Sequence, residues 1–381
     1  MDTVKKIITD LVGFDTVSDK SNLNIQDYIK AYLKSHGVDA KLVYNDEGNK
    51  TNLYATIGPT VAGGVILSGH TDVVPVVGQN WSTDPFTVVE KNGRLYGRGT
   101  TDMKSYLAIA LSLVPEMLTA NMKRPIHLAF SYDEEVGCLG APRMIDEMTQ
   151  TIPPVHAVIV GEPTNLEIAN AHKGVRGYVF NLRGLEAHSS QPHRGVSAVE
   201  YAAKLIAELY HIRDTLAASP LKGSDFIPAY STLNVGMVNG GTAHNIIAKD
   251  CSFTLDYRYI PGDDSEAIVS KIDLLVRRLS DRMKQDDPDS GITYDTREIP
   301  AFKAEMNGNA EALCRQLSGQ NSTSSVSYGT EAGQFQERGY STIVCGPGSI
   351  DQAHKPDEYI EIEQVKKGVQ FIKDLIKWQA N

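Results

Sequence analysis

Cysteine is scarce and scattered: Cys138, Cys251, Cys314 and Cys345 are the only four, and no two form a CxxC pair. That excludes a disulfide framework and a zinc–thiolate knot, so any metal site must draw on histidine and carboxylates. Positive charge is also in deficit. Lys and Arg number 37 against 47 Asp and Glu, a formal net charge of −10, which argues against nucleic acid or an anionic membrane surface as partner. No long hydrophobic run is present. The most apolar stretch, 106–118, is interrupted by Pro115 and is shorter than the roughly 20 residues a bilayer crossing needs. The opening segment MDTVKKIITDLVGFDT lacks the apolar core and cleavage site of a signal peptide, so the expected location is cytoplasmic. What remains is an ordinary globular composition, 41% hydrophobic and 22% charged over 381 residues, a length that suggests two domains.

The first half alternates helical and strand patterns. Segments 2–11 and 24–36 carry apolar residues at intervals of three and four, with Gly37 as a stop after the second. The runs 52–57, 65–68, 126–132 and 157–160 read as buried strands, with a helix over about 104–118 between two of them. Apolar strands alternating with helices predict an α/β fold with a mostly parallel sheet covered by helices. After Gly174 the order becomes β-α-β-β-α, over 175–183, 196–216, 232–238, 251–259 and 264–285, which predicts a ferredoxin-like α+β insert. The expected division is therefore 1–175 with 289–381 as one domain and 176–288 as the insert. The polar stretch 321–327 reads as a loop.

Metal-type ligands gather just after the strand-like runs, where an open α/β sheet binds its ligands. GHTDVVP offers His70 and Asp72; residues i and i+2 share a face in extended chain, so the Asp72 carboxylate could orient the His70 ring. Taken alone, His70 also reads as a hydrogen-bonded core histidine. GRGTTDMKS brings Asp102 to the start of a helix, as an N-cap or as a bridge between two metals. DEEVG follows a strand, and its adjacent acids repel unless solvated or neutralised by a cation; Glu134 and Glu135 point differently enough to divide proton handling from metal binding. Glu162 follows a strand in VIVGEPT, and His354 lies in the Gly/Pro-rich GPGSIDQAHKPDEY. Two histidines with three or four carboxylates, all on loops after strands, fit a paired zinc site better than separate structural roles.

In this order and spacing, GHTDVVP, GRGTTDMKS, DEEVG, GEPT, AHKG, AHSSQPHRG and GPGSIDQAHKPDEY resemble the di-zinc amidohydrolase family over essentially the whole chain. That family includes acetylornithine deacetylase, succinyl-diaminopimelate desuccinylase, aminoacylase and glutamate carboxypeptidase, and the wording is most similar to the first of these. The resemblance implies a zinc-exopeptidase-like catalytic domain with an inserted lid and dimerisation domain, and two zinc ions, with cobalt able to replace zinc. His70, Asp102 and Glu162 would bind one ion and Asp102, Glu135 and His354 the other, with a cis peptide after Asp102. Glu134 would be the general base and His188 an oxyanion donor on the lid, and Asp72, as the carboxylate beside His70, is counted with them as a catalytic residue. Ser105 and Ala187 stand where the family more often has glycine, both small replacements.

The reaction so implied is hydrolysis of the amide of an N-acyl amino acid, N-acetylornithine to ornithine and acetate first, a step of arginine biosynthesis, by a homodimer joined through the lid domain. Arg258 matches the position that grips the substrate carboxylate, a bidentate task that suits guanidinium, and also reads as an exposed edge charge. Asn245, Gly348 and Ser349 resemble other substrate contacts. Glu331 would meet the cationic amine of ornithine or serve as a solvated loop acid. The alternatives are a desuccinylase, with Arg176 as second cation for the succinyl carboxylate, another N-acyl amino acid hydrolase, or a metal-binding homologue without turnover. The last would be marked by a missing ligand, and none is missing.

Overall fold

A computed structural model describes residues 1–381. The chain divides into two compact units, one formed by 1–171, 302–325 and 330–381, the other by 172–301 and 326–329.

The first unit is built on a nine-stranded sheet. Its centre is four adjacent strands in the order Ile126–Ser131, Gly64–His70, Val155–Pro163 and Thr342–Gly346, all parallel. They read as unbroken apolar runs because both faces are covered: every residue of Gly64–His70, Ile126–Ser131 and Thr342–Gly346 is buried. The expectation of a mostly parallel sheet holds only for this centre. The short link between Ala40–Tyr44 and Thr51–Ile57 allows only an antiparallel pair, and Thr51–Ile57 runs antiparallel to Ile126–Ser131 as well. On one face, the helix Lys104–Ser112 packs between Asp2–Val12 and Ile362–Ala380. Leu107, Ile109 and Leu111 join Leu67, Leu128 and Ile159 in the core there, each contributing roughly 1.5–3 kcal/mol by burial. The predicted helix 104–118 is two helices, because Pro115 cannot donate within a continuous helix and instead starts Val114–Thr119. Part of the loop expected at 321–327 is a short strand, Thr323–Val326, paired with Ile168–His172.

The second unit has β-α-β-β-α-β order, with a four-stranded antiparallel sheet arranged Thr232–Gly240, Asp250–Tyr259, Gly174–Arg183, Gly291–Ile299. The strand Gly174–Arg183 alternates buried Tyr178, Phe180 and Leu182 with exposed Val179, Asn181 and Arg183, so one face is dry. That face packs against Ala198–Ala217 and Ser265–Asp286 through Leu205, Leu209, Ile272 and Val276. Asp264 caps the second helix by accepting the Ala267 N–H at 3.0 Å. The expected boundary at 288 is displaced to 301. The strand Gly291–Ile299 completes this sheet by pairing with Gly174–Arg183 from Arg183 to Val175, a partner that local periodicity does not reveal. No helix in the chain is long and apolar enough to cross a membrane.

Candidate metal centre

The four central parallel strands end side by side. His70 closes the first of them in sequence, Glu134 and Glu135 follow Ile126–Ser131, Glu162 sits at the end of Val155–Pro163, and the loop carrying Gly348, Ser349 and His354 leaves Thr342–Gly346. Parallel strands deliver all these side chains to one edge of the sheet, outside its carboxyl ends. Asp102 comes from the turn before Lys104–Ser112 and is joined to Met103 by a cis peptide; Met103, not Asp102, occupies the N-cap.

Two clusters result, and they share one residue. His70 Nε2 lies 3.1 Å from Asp102 Oδ1 and 3.9 Å from Glu162 Oε1. His354 Nε2 lies 3.2 Å from Asp102 Oδ2 and 3.0 Å from Glu135 Oε2. Asp102 thus turns one oxygen to each histidine, the arrangement of a bridging carboxylate. Both trios, His70–Asp102–Glu162 and Asp102–Glu135–His354, bring one donor atom from each member close enough to hold an ion. The donor chemistry fits a divalent metal of the zinc type, bound through imidazole nitrogen and carboxylate oxygen. Glu162 Oε1 is buried without a hydrogen-bond partner, a costly state that a cation relieves.

The proton affinities describe the same pressure. Burial first, and then the neighbouring Glu162, pushes Glu134 well above the ordinary carboxylate range; burial and then Asp102 do the same to Glu162. Burial lifts Glu135 to about 7. Burial also works to raise Asp102, but hydrogen bonds from His354 and His70 outweigh it and hold that carboxyl below its usual value. Hydrogen bonds to Asp102 and then Glu135 raise His354 to about 10. The same crowding of buried acids that favours protons on Glu134, Glu162 and His354 would favour a divalent cation among them.

Two expectations need correction here. The Asp72 carboxylate does not hold the His70 ring, because the Asp72 backbone carbonyl takes Nδ1 at 2.9 Å while the carboxylate stays at 3.7 Å. Instead Asp72 accepts the Glu134 and Glu135 N–H groups at 3.1 and 3.3 Å and the Ser18 hydroxyl at 2.7 Å, which fixes the acidic turn. Glu331 is neither a solvated loop acid nor open to a ligand. It begins the helix Ala332–Glu337, is 1% exposed, and accepts hydroxyls from Ser68 at 3.0 Å and from Ser131.

In the second unit, His188 is exposed and bridges to Ile246, and the Ser189 N–H donates to the Asn245 carbonyl at 3.0 Å. The two predicted residues thus share a loop pair. His188 Nδ1 accepts the Ser190 N–H at 3.2 Å, so the neutral ring carries its proton on Nε2. Arg258 is half-buried, bonded to Asp256 at 3.1 Å and to the Ser327 carbonyl at 3.2 Å. Arg176, the candidate second cation, is already engaged by Glu298 and by Glu266. In the first unit, Gly348 has φ of 93°, and a Cβ there would lie 2.3 Å from Thr101 Oγ1, so only glycine fits; Ser349 Oγ accepts the Asp351 N–H.

Sequence reasoning passed over Cys138 and Glu358. The Cys138 thiol donates to Glu134 Oε1 at 3.3 Å, leaving Oε2 for other work. Glu358 is 1% exposed and receives Arg98 and three backbone amides. Its only sequence signal is an acid four residues after His354.

The family model described as Peptidase family M20/M25/M40 matches residues 66–378. The chain belongs to this family. It is accordingly a hydrolase of the M20 group, and the matched span contains every residue of both clusters. Solved structures with the same fold include an M20 family metallo-carboxypeptidase from Sulfolobus solfataricus, 18% identical, with a TM-score of 0.80 and 100% of both chains covered. The dipeptidase Dug1p of Saccharomyces cerevisiae gives 17% identity and a TM-score of 0.76 over 100% of this chain and 96% of that one. The YXEP protein of Bacillus subtilis, described as a dinuclear metal binding peptidase from the M20 family, gives 14% and 0.66 over 99% and 97%.

Proposed function

We propose that this M20 protein hydrolyses the amide of an N-acyl amino acid with two zinc-type ions, and that N-acetylornithine is the first substrate to test. One observation carries the two-ion reading: Asp102 presents a separate oxygen to each of two histidines, with Glu162 flanking one and Glu135 the other. His70, Asp102 and Glu162 would hold one ion and Asp102, Glu135 and His354 the other. When bound, such a pair supplies Lewis acidity and brings the pKa of a water down towards about 7.

The chain's own groups do the rest. Glu134 takes the proton of the attacking water at Oε2, since Oε1 is occupied by the Cys138 thiol, and delivers it to the leaving nitrogen. Burial favours the protonated form of Glu134, which suits a group that must hold that proton between the two transfers. His188, with its proton on Nε2, is the donor for the developing oxyanion. Arg258 clamps the substrate α-carboxylate, and Asn245, Gly348 and Ser349 line its path. The insert acts as a lid and joins two chains into a homodimer.

The ornithine preference now rests on motif wording alone, because Glu331 is not free to meet a distal amine. The desuccinylase alternative loses support as well, since Arg176 is paired. A dipeptidase reading gains from the likeness to dipeptidases such as Dug1p. A panel assay with zinc- or cobalt-loaded protein separates these readings. N-acetylornithine, N-succinyl-diaminopimelate, N-acetylglutamate, N-acetylmethionine and dipeptides are compared by kcat/KM. We expect N-acetylornithine to rank first. A dipeptide or the succinyl compound at the top replaces the deacetylase reading with its own, and two bound ions with no turnover on any compound would make the protein a metal-binding homologue without activity.

A further inference from the structure

Glu358 accepts four hydrogen bonds beside the centre, yet it belongs to neither ligand trio. Glu358 Oε1 accepts the N–H groups of Thr101 and Asp102 at 2.9 and 3.1 Å. Its Oε2 accepts the Gly99 N–H at 3.0 Å and Arg98 Nη1 at 2.7 Å, and both members of that ion pair are 1% exposed. The backbone arranges this encounter. The strand Arg94–Tyr96 pairs antiparallel with Tyr359–Glu361, opposing Tyr96 to Tyr359, so Arg98 and Glu358 leave the same end of a small sheet. Gly99 then takes a φ of 83°, and a Cβ there would press on Val73 at 2.9 Å; the turn folds its amides inward around the carboxylate.

Arg98 carries the connection further. Its Nη2 donates to Gln79 Oε1 at 2.5 Å, and Gln79 Nε2 donates to the backbone carbonyl of His354 at 2.9 Å. His354 has a φ of 62°, which a non-glycine residue keeps only where its surroundings hold it. One buried carboxylate is therefore bonded to the main chain of Asp102 and, through Arg98 and Gln79, to the main chain of His354.

We propose that Glu358 is a positioning residue for the metal centre: it fixes the turn that aims the two Asp102 oxygens, and through Arg98 and Gln79 it sets the loop that aims His354. This rests on the two-ion reading above. A residue that holds a ligand's backbone and is not itself a ligand changes affinity by misplacing donors, and losses of 10–100-fold are typical of such outer partners.

The test is calorimetric titration of metal-stripped protein with zinc, alongside thermal unfolding of the same metal-free samples. Glu358→Gln keeps the reach of the side chain but removes its charge and turns an amide N–H towards the backbone donors. Both zinc affinities should fall at least tenfold, because Asp102 is shared. Gln79→Ala, at a partly exposed position, should weaken only one of the two ions. If Glu358→Gln does not fold, Glu358→Asp keeps the charge beside Arg98 while withdrawing it from the 99–102 amides, and the same loss is expected. A purely structural role predicts lower melting temperatures with unchanged zinc affinities in these variants, and that result would overturn the inference. Unmodified protein that fails to take up two ions would instead overturn the two-ion reading itself.

Discussion

The two halves of the centre share Asp102 but differ in their access to water. His70, Asp102 and Glu162 are all buried, whereas the other half ends in His354, whose side chain is 53% exposed. Closed coordination belongs with retention of a metal and open coordination with exchange and approach of a ligand. The His70 half is thus built to hold and the His354 half to present. Glu134 and Glu135 stand on one acidic turn fixed by Asp72, yet Glu135 belongs to the His354 half and Glu134 to neither.

The sharpest way to break this comparison is to remove the group assigned to neither half. Glu134→Ala should lower kcat by about 10²–10⁴-fold while both ions remain, as measured by turnover and metal content on one preparation. A loss of metal would move Glu134 into the coordination shell and erase the division of labour between the two acids.

Next in size is the contrast between the histidines. His70→Ala leaves Asp102 Oδ1 and Glu162 Oε1 buried without their cation, a cost on the order of 3 kcal/mol in the metal-free protein, together with loss of the retained ion. His354→Ala removes a half-exposed group, so its stability cost should stay below about 1 kcal/mol, with only the exchangeable ion lost on dialysis. Denaturant unfolding and metal analysis read both quantities. Equal effects at the two positions would show that the halves do not differ.

Counted per pH unit, the smallest effect is that of pH. His354 is raised to about 10 from an ordinary value near 6.5, so the metal-free protein keeps this ring protonated through neutrality. The stabilisation from that charged ring is fully present below about pH 6.5 and lost as pH rises through about 10. A metal must displace the same proton. The affinity of the His354 half should therefore climb by up to about tenfold per pH unit across this window and then level off. Titrations in buffers of different ionisation heat would count the released proton, and an affinity flat between pH 7 and 9 would contradict the assignment.

Part of this centre was legible in the sequence because His70, Glu135 and Glu162 follow apolar runs, and a run followed by a polar turn marks the end of a buried strand. Asp102 precedes a helix and His354 stands in a Gly/Pro-rich loop, so their place in the centre comes from the resemblance, and the structure brings all five ligands together. The misreadings share a different cause. Asp72, Glu331 and Glu358 owe their roles to partners remote in sequence, such as Ser18, Ser68, Ser131 and Arg98, or to backbone atoms, and side-chain spacing carries no record of either. The strand Gly291–Ile299 was assigned to the wrong domain for the same reason: its pattern says that it is a strand, but only its pairing with Gly174–Arg183 says whose.

The fourth central strand, Thr342–Gly346, returns to the sheet only after the entire insert has been traversed. A chain still emerging from the ribosome holds His70, Asp102, Glu135 and Glu162 well before it holds His354 or Glu358. The early segment has the acids but lacks the second histidine and the buried carboxylate that fastens the Asp102 turn. Assembly of the full centre must also await closure of a very long loop, which is slow relative to local pairing. The order of the strands thus makes completion of the centre wait on a long-range closure rather than on any local pairing.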